Sequence, residues 1–155
     1  KLRIMGLDYV SKTGGVAVCD PLGYTAQAVE TIVRKEENKF RETFRRIEEL
    51  AREFEITSIV LGYPKNMDGS VGERARKTEE FKDMLEKRTG FPVILWDERL
   101  TTVEANGILR ESGVPASERK KVIDQVAAGI ILQSYLDTME RMRFGSEERN
   151  DESSE

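Results

Sequence analysis

Histidine is missing from all 155 residues of this chain, which removes every mechanism that needs an imidazole base, nucleophile or metal ligand. A single cysteine, Cys19, rules out an internal disulfide and fits a reducing, cytoplasmic setting. Long apolar runs are absent as well. The longest, Val126 to Leu132, has seven residues, against about 20 for a membrane helix. The first residues do not show the basic-then-apolar pattern of a signal peptide, since strand-like sequence is read from Leu2, so no secretory leader is expected. What is present is globular material, with 38% hydrophobic residues and 12 glycines. A chain of this length makes one domain that buries about two thirds of its unfolded surface.

The charges are unevenly spread. Lys and Arg total 25 and Asp and Glu 29, for a net charge of −4. Residues 145–155 hold five of the acids and only one base, Arg149, which leaves residues 1–144 neutral at 24 of each sign. That polar segment has no apolar period and is predicted to be a disordered acidic tail on a single domain spanning 1–144. A neutral body argues neither for nor against an anionic substrate.

The apolar period gives the order of elements. Leu2 to Leu7 reads as a buried central strand ending at Asp8. Gly15 to Asp20 and about Thr25 to Val33 read as two more strands, with tight turns that imply an antiparallel meander. From Lys39 the spacing changes to three and four (Phe40, Phe44, Ile47, Leu50, Ala51, Phe54), an amphipathic helix. Ser58 to Gly62 is a short strand. Ser70-x-x-Glu73 resembles a capping box opening a helix to about Lys87. Val93 to Trp96 is the last strand. Thr101-x-x-Glu104 is a second capping box before a helix to about Glu111, and a final helix runs from about Glu118 to Met142. The order β-β-β-α-β-α-β-α-α predicts an α/β domain of the ribonuclease H-like pattern, a mixed five-stranded sheet with helices on both faces.

Acidic residues stand at the ends of these elements. Asp8 closes the first strand, Asp97-Glu98 the last, and Asp124 lies early in the final helix, on the face shared by Ala127, Ala128, Ile131 and Tyr135. Small Ala127 and Ala128 would let that helix lie close to the sheet, where the crevice beyond the carboxyl ends of the strands is the usual binding site. Oxygen ligands without His or Cys suit Mg²⁺ or Mn²⁺, and a pair of such ions can hydrolyse a phosphodiester without an imidazole base. Taken singly, each acid also fits a turn or a solvated helix face. Spacing alone leaves the two readings balanced.

Four segments carry a resemblance. Leu7-Asp8-Tyr9 with Gly15-Val16-Ala17-Val18, Gly62 to Ser70 (GYPKNMDGS), Trp96 to Ala105 (WDERLTTVEA), and Lys120 to Ala128 (KKVIDQVAA) followed by Ile131 to Asp137 come in order over about residues 2–137. The chain resembles the YqgF/RuvX family of RNase H-like nucleases. The resemblance implies a cytoplasmic, divalent-metal phosphodiesterase of the RNase H-like fold, associated with processing the 5′ end of the small-subunit (16S) ribosomal RNA precursor. The family's earlier proposed role, by similarity to RuvC, is Holliday junction resolution on branched DNA. By motif position Asp8, Glu98 and Asp124 are the implied catalytic and metal-binding carboxylates. Asp8 would bridge the ions; Asp97 and Asp68 are weaker candidates, and no organic cofactor is implied. The family usually has glycine after Asp-Tyr where this chain has Val10, which is expected to narrow the entrance or reduce activity. Gly14 in the same turn stands where the family more often has a larger residue.

Basic residues beside these motifs are candidates for holding a nucleic-acid backbone: Lys12, Lys65, Arg99, Arg119, Lys120 and Lys121. Tyr9, Tyr63 and Trp96 are candidates for base stacking, with a core role favoured for Trp96. Cys19 reads as a small core residue. The leading expectation is an endonuclease on structured RNA or branched DNA, working as a monomer or homodimer. Its rivals are a non-catalytic nucleic-acid-binding module of the same fold and an actin/hexokinase-type ATPase. The latter would need a second domain to clasp nucleotide.

Overall fold

The computed structural model describes residues 3–9, 13–36, 39–64, 68–97 and 116–153, with side chains over 125–143 in the last segment. Within them the chain forms strands β1 (Ile4–Tyr9), β2 (Thr13–Cys19), β3 (Ala26–Val33), β4 (Ser58–Tyr63) and β5 (Val93–Asp97), and helices α1 (Arg41–Glu53), α2 (Glu73–Thr89) and α3 (Ala116–Ser153). The sheet order is β3-β2-β1-β4-β5. The meander β1-β2-β3 is antiparallel, and β4 and β5 join parallel to β1 through helical crossovers. This is the mixed five-stranded sheet that the apolar period predicts. The second expected capping box and its helix lie outside the described residues.

Strand alternation divides the core into two layers. Met5, Leu7 and Tyr9 of β1 face one way, with Val16, Val18, Ile59, Leu61 and Val93, and are covered by Phe44, Ile47 and Leu50 of α1 and Phe81 and Leu85 of α2. Ile4, Ala17, Cys19 and Val60 face the other way, beneath Ala128, Ile131, Leu132 and Leu136 of α3. Each fully buried Leu or Ile contributes about 1.5–3 kcal/mol. Cys19 is buried here and accepts the Ile4 N–H at 3.1 Å, a core role as expected.

The close seat of α3 depends on Gly6. A Cβ built there would lie 2.7 Å from Leu132 Cβ and 2.9 Å from the Ala128 carbonyl oxygen, so only glycine lets the helix backbone rest on β1. Gln133 fastens the same helix to the β2–β3 hairpin: its Oε1 accepts the Ala26 N–H at 2.8 Å and its Nε2 donates to the Tyr24 carbonyl at 2.9 Å.

Two helix ends differ from expectation. Gly72, not Ser70, is the N-cap of α2. The Ser70 hydroxyl and amide instead both donate to Asp68 Oδ1, at 2.6 and 2.9 Å. This Asx turn competes for the groups a capping box needs, so the helix starts later. At the other end, α3 continues past Met142 to Ser153, so the backbone of 145–153 is helical where an irregular tail was expected. Glu and Arg are good helix formers, and a helix already docked upstream needs no new nucleus to continue through them.

Two outcomes test this architecture. Gly6→Ala should cost about 1–3 kcal/mol through overpacking, or about 2–4 °C in Tm per kcal/mol for a domain of this size; an unchanged melting temperature would contradict the close contact. Asp20 Oδ1 accepts the Tyr24 and Thr25 amides at 2.7 and 2.9 Å, and these bonds, that to Thr25 foremost, hold its carboxyl below the ordinary value. A depressed native value means the stabilisation is present above the unfolded-state value and is lost as pH falls through the native one. Asp20→Ala should therefore be less stable than wild type at neutral pH, and chemical denaturation should show the gap closing on acidification.

Candidate active site

Asp8 is the strongest candidate. It lies on the central strand β1 with only 7% of its surface exposed. Its partner across β2 is Gly15. On the other side Gly62 follows Leu61, the partner of Leu7, and Gly62 in turn pairs with Trp96 of β5. The Asp8 side chain is therefore flanked on both neighbouring strands by positions without side chains.

Alternation decides which face this niche occupies. Leu7 and Tyr9 point toward α1 and α2, so Asp8 points toward α3. Trp96 shares that side: its Nε1 donates to Ser134 Oγ at 3.1 Å, and its ring meets Tyr135 edge-on at 5.3 Å. Ala128 of α3 sits against Gly6, two residues before Asp8. Position 124 lies one helical turn earlier on α3, about 5.4 Å along the axis. The backbone thus brings the turn containing Asp124 and the end of β1 to one side of the sheet. Asp97, the partner of Tyr63 at the end of β5, falls by the same alternation on the α1–α2 side, away from Asp8.

The remaining candidates divide. Glu98, Arg99, Lys12, Lys65 and Val10 lie outside the described residues. Arg119, Lys120, Lys121 and Asp124 belong to α3, but their side chains lie outside the described ones. Asp68 is engaged with Ser70 in the turn before α2. Among the described residues no three acidic, thiol or imidazole groups cluster, and no helix is long and apolar enough to cross a membrane.

The base-stacking expectation fails for two aromatics. Tyr9 is buried, with its ring stacked on Phe81 at 4.6 Å. Tyr63 is buried too, and its hydroxyl donates to Glu79 Oε1 of α2. Tyr9 belongs to the apolar layer under α1 and α2 and Tyr63 is buried and tied to α2, so neither ring is presented to a base. Trp96 takes the core position favoured for it, packed beneath α3.

One charged residue was missed from sequence. Arg34, just after β3, is 5% exposed, with its guanidinium carbon 4.9 Å from the Tyr9 ring centre and 5.1 Å from that of Phe40. It lines a pocket with Asp8, Tyr9, Gly14, Thr43 and Phe81. Its place follows from register, which the sequence does not carry: Gly14 pairs with both Tyr9 and Ile32, so a long side chain two residues after Ile32 has a clear path over β2.

Residues 2–138 match the model of the family described as RuvX: Holliday junction resolvase. A protein of Lachnospira eligens named "Putative pre-16S rRNA nuclease" is 57% identical over 140 residues, which is 90% of this chain and all of that protein. A protein of Listeria monocytogenes with the same name is 53% identical, with 88% and 99% covered. Among solved structures, Thermus thermophilus RuvC in complex with a Holliday junction substrate matches with a TM-score of 0.55 at 13% identity, covering 89% of this chain and 96% of that one. The fowlpox virus Holliday junction resolvase matches at 0.53 and 13%, covering 89% and 99%. At that identity the likeness concerns the RNase H-like fold alone.

Tyr63 ties the end of β4 to α2, and this link is measurable. Its hydrogen bond to Glu79, reinforced by burial and by the Glu79 charge, holds the phenol above its ordinary value. A spectrophotometric pH titration of the four tyrosines should show a late-ionising group that disappears in Tyr63→Phe, with a stability loss of about 1 kcal/mol. A late group that survives the substitution would contradict the assignment.

Proposed function

The chain belongs to the RuvX family, and from that premise we propose that it is a divalent-metal-dependent endonuclease that trims the 5′ end of the 16S ribosomal RNA precursor in the cytoplasm. The observation that carries this reading is Asp8, a buried carboxylate on the central strand, flanked by Gly15 and Gly62 and facing the helix that bears Asp124. The names of relatives at 53–57% identity support a nuclease and favour RNA. The family description favours a second reading, hydrolysis of a four-way DNA junction.

Asp8, Glu98 and Asp124 would hold Mg²⁺ or Mn²⁺. The fit is chemical: the donors are all carboxylate oxygens, as hard cations require, and the glycine neighbours of Asp8 leave space for the ions and a phosphate. When bound, such ions supply an activated water and charge to stabilise the leaving oxygen. The chain's own residues do the rest. Asp8 would anchor those ions, and through them the reacting phosphate, to β1, and the turn of α3 that bears Asp124 lies on the same side of the sheet. Lys12, Lys65, Arg99, Arg119, Lys120 and Lys121 neutralise flanking phosphates, a contact that weakens steeply with salt and carries no sequence information.

The test is cleavage of a 5′-extended 16S precursor fragment and of a four-way DNA junction with Mg²⁺ or Mn²⁺, by wild type and Asp8→Asn. The substitution should leave the circular dichroism spectrum intact and lower cleavage by at least about 100-fold, corresponding to about 3 kcal/mol of transition-state stabilisation. Cleavage of the RNA with the junction left intact supports the first substrate, and the reverse supports the second. Equal activity in both proteins would point to a contaminating nuclease and to a non-catalytic binding module.

A further inference from the structure

We propose that Arg34 is a positioning residue for Asp8, an inference that rests on the nuclease reading above. The Arg34 guanidinium lies with Tyr9 and Phe40 on the α1–α2 side, in a pocket that Asp8 also borders. Tyr9 directly follows Asp8 on β1, so the torsions that aim the Tyr9 ring toward α1 and α2 also aim the Asp8 carboxylate toward α3. Near its end, β1 pairs with β2 at Asp8–Gly15 and Tyr9–Gly14. Glycines there give the strand end no side-chain packing across the sheet, so its aim must be fixed from elsewhere.

The aromatic layer supplies that restraint. Tyr9 stacks on Phe81 at 4.6 Å with the planes 22° apart, and Phe40 lies 6.1 Å from Tyr9 and 5.5 Å from Phe81. The Arg34 guanidinium reaches over Gly14 to lie near both Tyr9 and Phe40. A cation over aromatic rings is worth more when desolvated than at the surface, and Arg34 is nearly fully buried. The flat guanidinium suits this slot, whereas a lysine ammonium is compact, strongly hydrated and unable to stack. Arg34 therefore links the end of β3 to the end of β1 at the residue next to the carboxylate, and a small misplacement of a reacting group can cost about 100-fold in rate.

The test compares wild type, Asp8→Asn, Arg34→Lys, Arg34→Met and Phe54→Leu. Phe54 packs on the same core near Arg3, before β1, and serves as a control for plain destabilisation. Mn²⁺ uptake is read by electron paramagnetic resonance, beside Mg²⁺-dependent cleavage and melting temperature. Arg34→Lys and Arg34→Met should weaken Mn²⁺ binding and lower kcat by roughly 10–100-fold, the range seen when a group supporting a metal ligand is lost. KM for the nucleic acid should stay near wild type. Phe54→Leu should lower the melting temperature and leave Mn²⁺ affinity unchanged. Arg34→Lys with wild-type Mn²⁺ affinity and kcat overturns the positioning role and leaves the nuclease reading standing, as does an equal loss in Phe54→Leu. A wild type that neither binds Mn²⁺ nor cleaves overturns the nuclease reading and this inference with it.

Discussion

The contact of α3 with Gly6 is the constraint on which the rest of the site depends. Backbone-close packing of a helix on a strand is possible only where the strand has no side chain, and the Leu132 and Ala128 distances leave no room for one. That contact sets both the height of the helix above the sheet and its position along β1. Since Asp8 lies two residues beyond Gly6 and Asp124 one turn before Ala128, it also governs how the two carboxylate-bearing elements meet. Gln133 and the Trp96–Ser134 hydrogen bond fix the helix against β3 and β5, so that it cannot pivot about the glycine.

The sheet separates structure from chemistry by its two faces. Under α1 and α2 the side chains are large and interlocked, with Tyr9, Phe40, Phe44 and Phe81 forming a continuous aromatic cluster. Under α3, the space over Gly6 is filled by the helix backbone beside Ala128, and next to Asp8 the strand positions Gly15 and Gly62 carry no side chains. Close packing on one face holds the strand ends rigid, and on the proposed reading the positions without side chains beside Asp8 receive the nucleic acid and ions. Because neighbouring residues of a strand alternate sides, Tyr9 and Asp8 pass that rigidity from one face to the other.

Much of this was legible in the sequence. The change of apolar period from two to three and four gave the element order, and the meander followed from turns too short for a crossover. Asp8 at the end of an apolar strand and Asp124 on the face of Ala127 and Ala128 were visible as candidates. What sequence could not give was register. Tyr9 and Tyr63 stand at strand ends near the site, yet which way they point depends on alternation counted from residues whose partners are unknown beforehand. Arg34 escaped notice for the same reason, since its approach to Tyr9 requires knowing that Gly14 lies between β1 and β3. Ser70 misled because Asp68, two residues earlier, offers a stronger local acceptor than the helix terminus.

In the proposed mechanism three carboxylates distant in sequence share divalent ions on the α3 face. Anomalous diffraction from a crystal grown with Mn²⁺ tests it most directly. The expected result is a metal peak within about 2.5 Å of carboxylate oxygens from Asp8, Glu98 and Asp124, the span of hard-cation coordination. A map with no metal beside Asp8, or with the other two carboxylates too far away to share an ion, would contradict it.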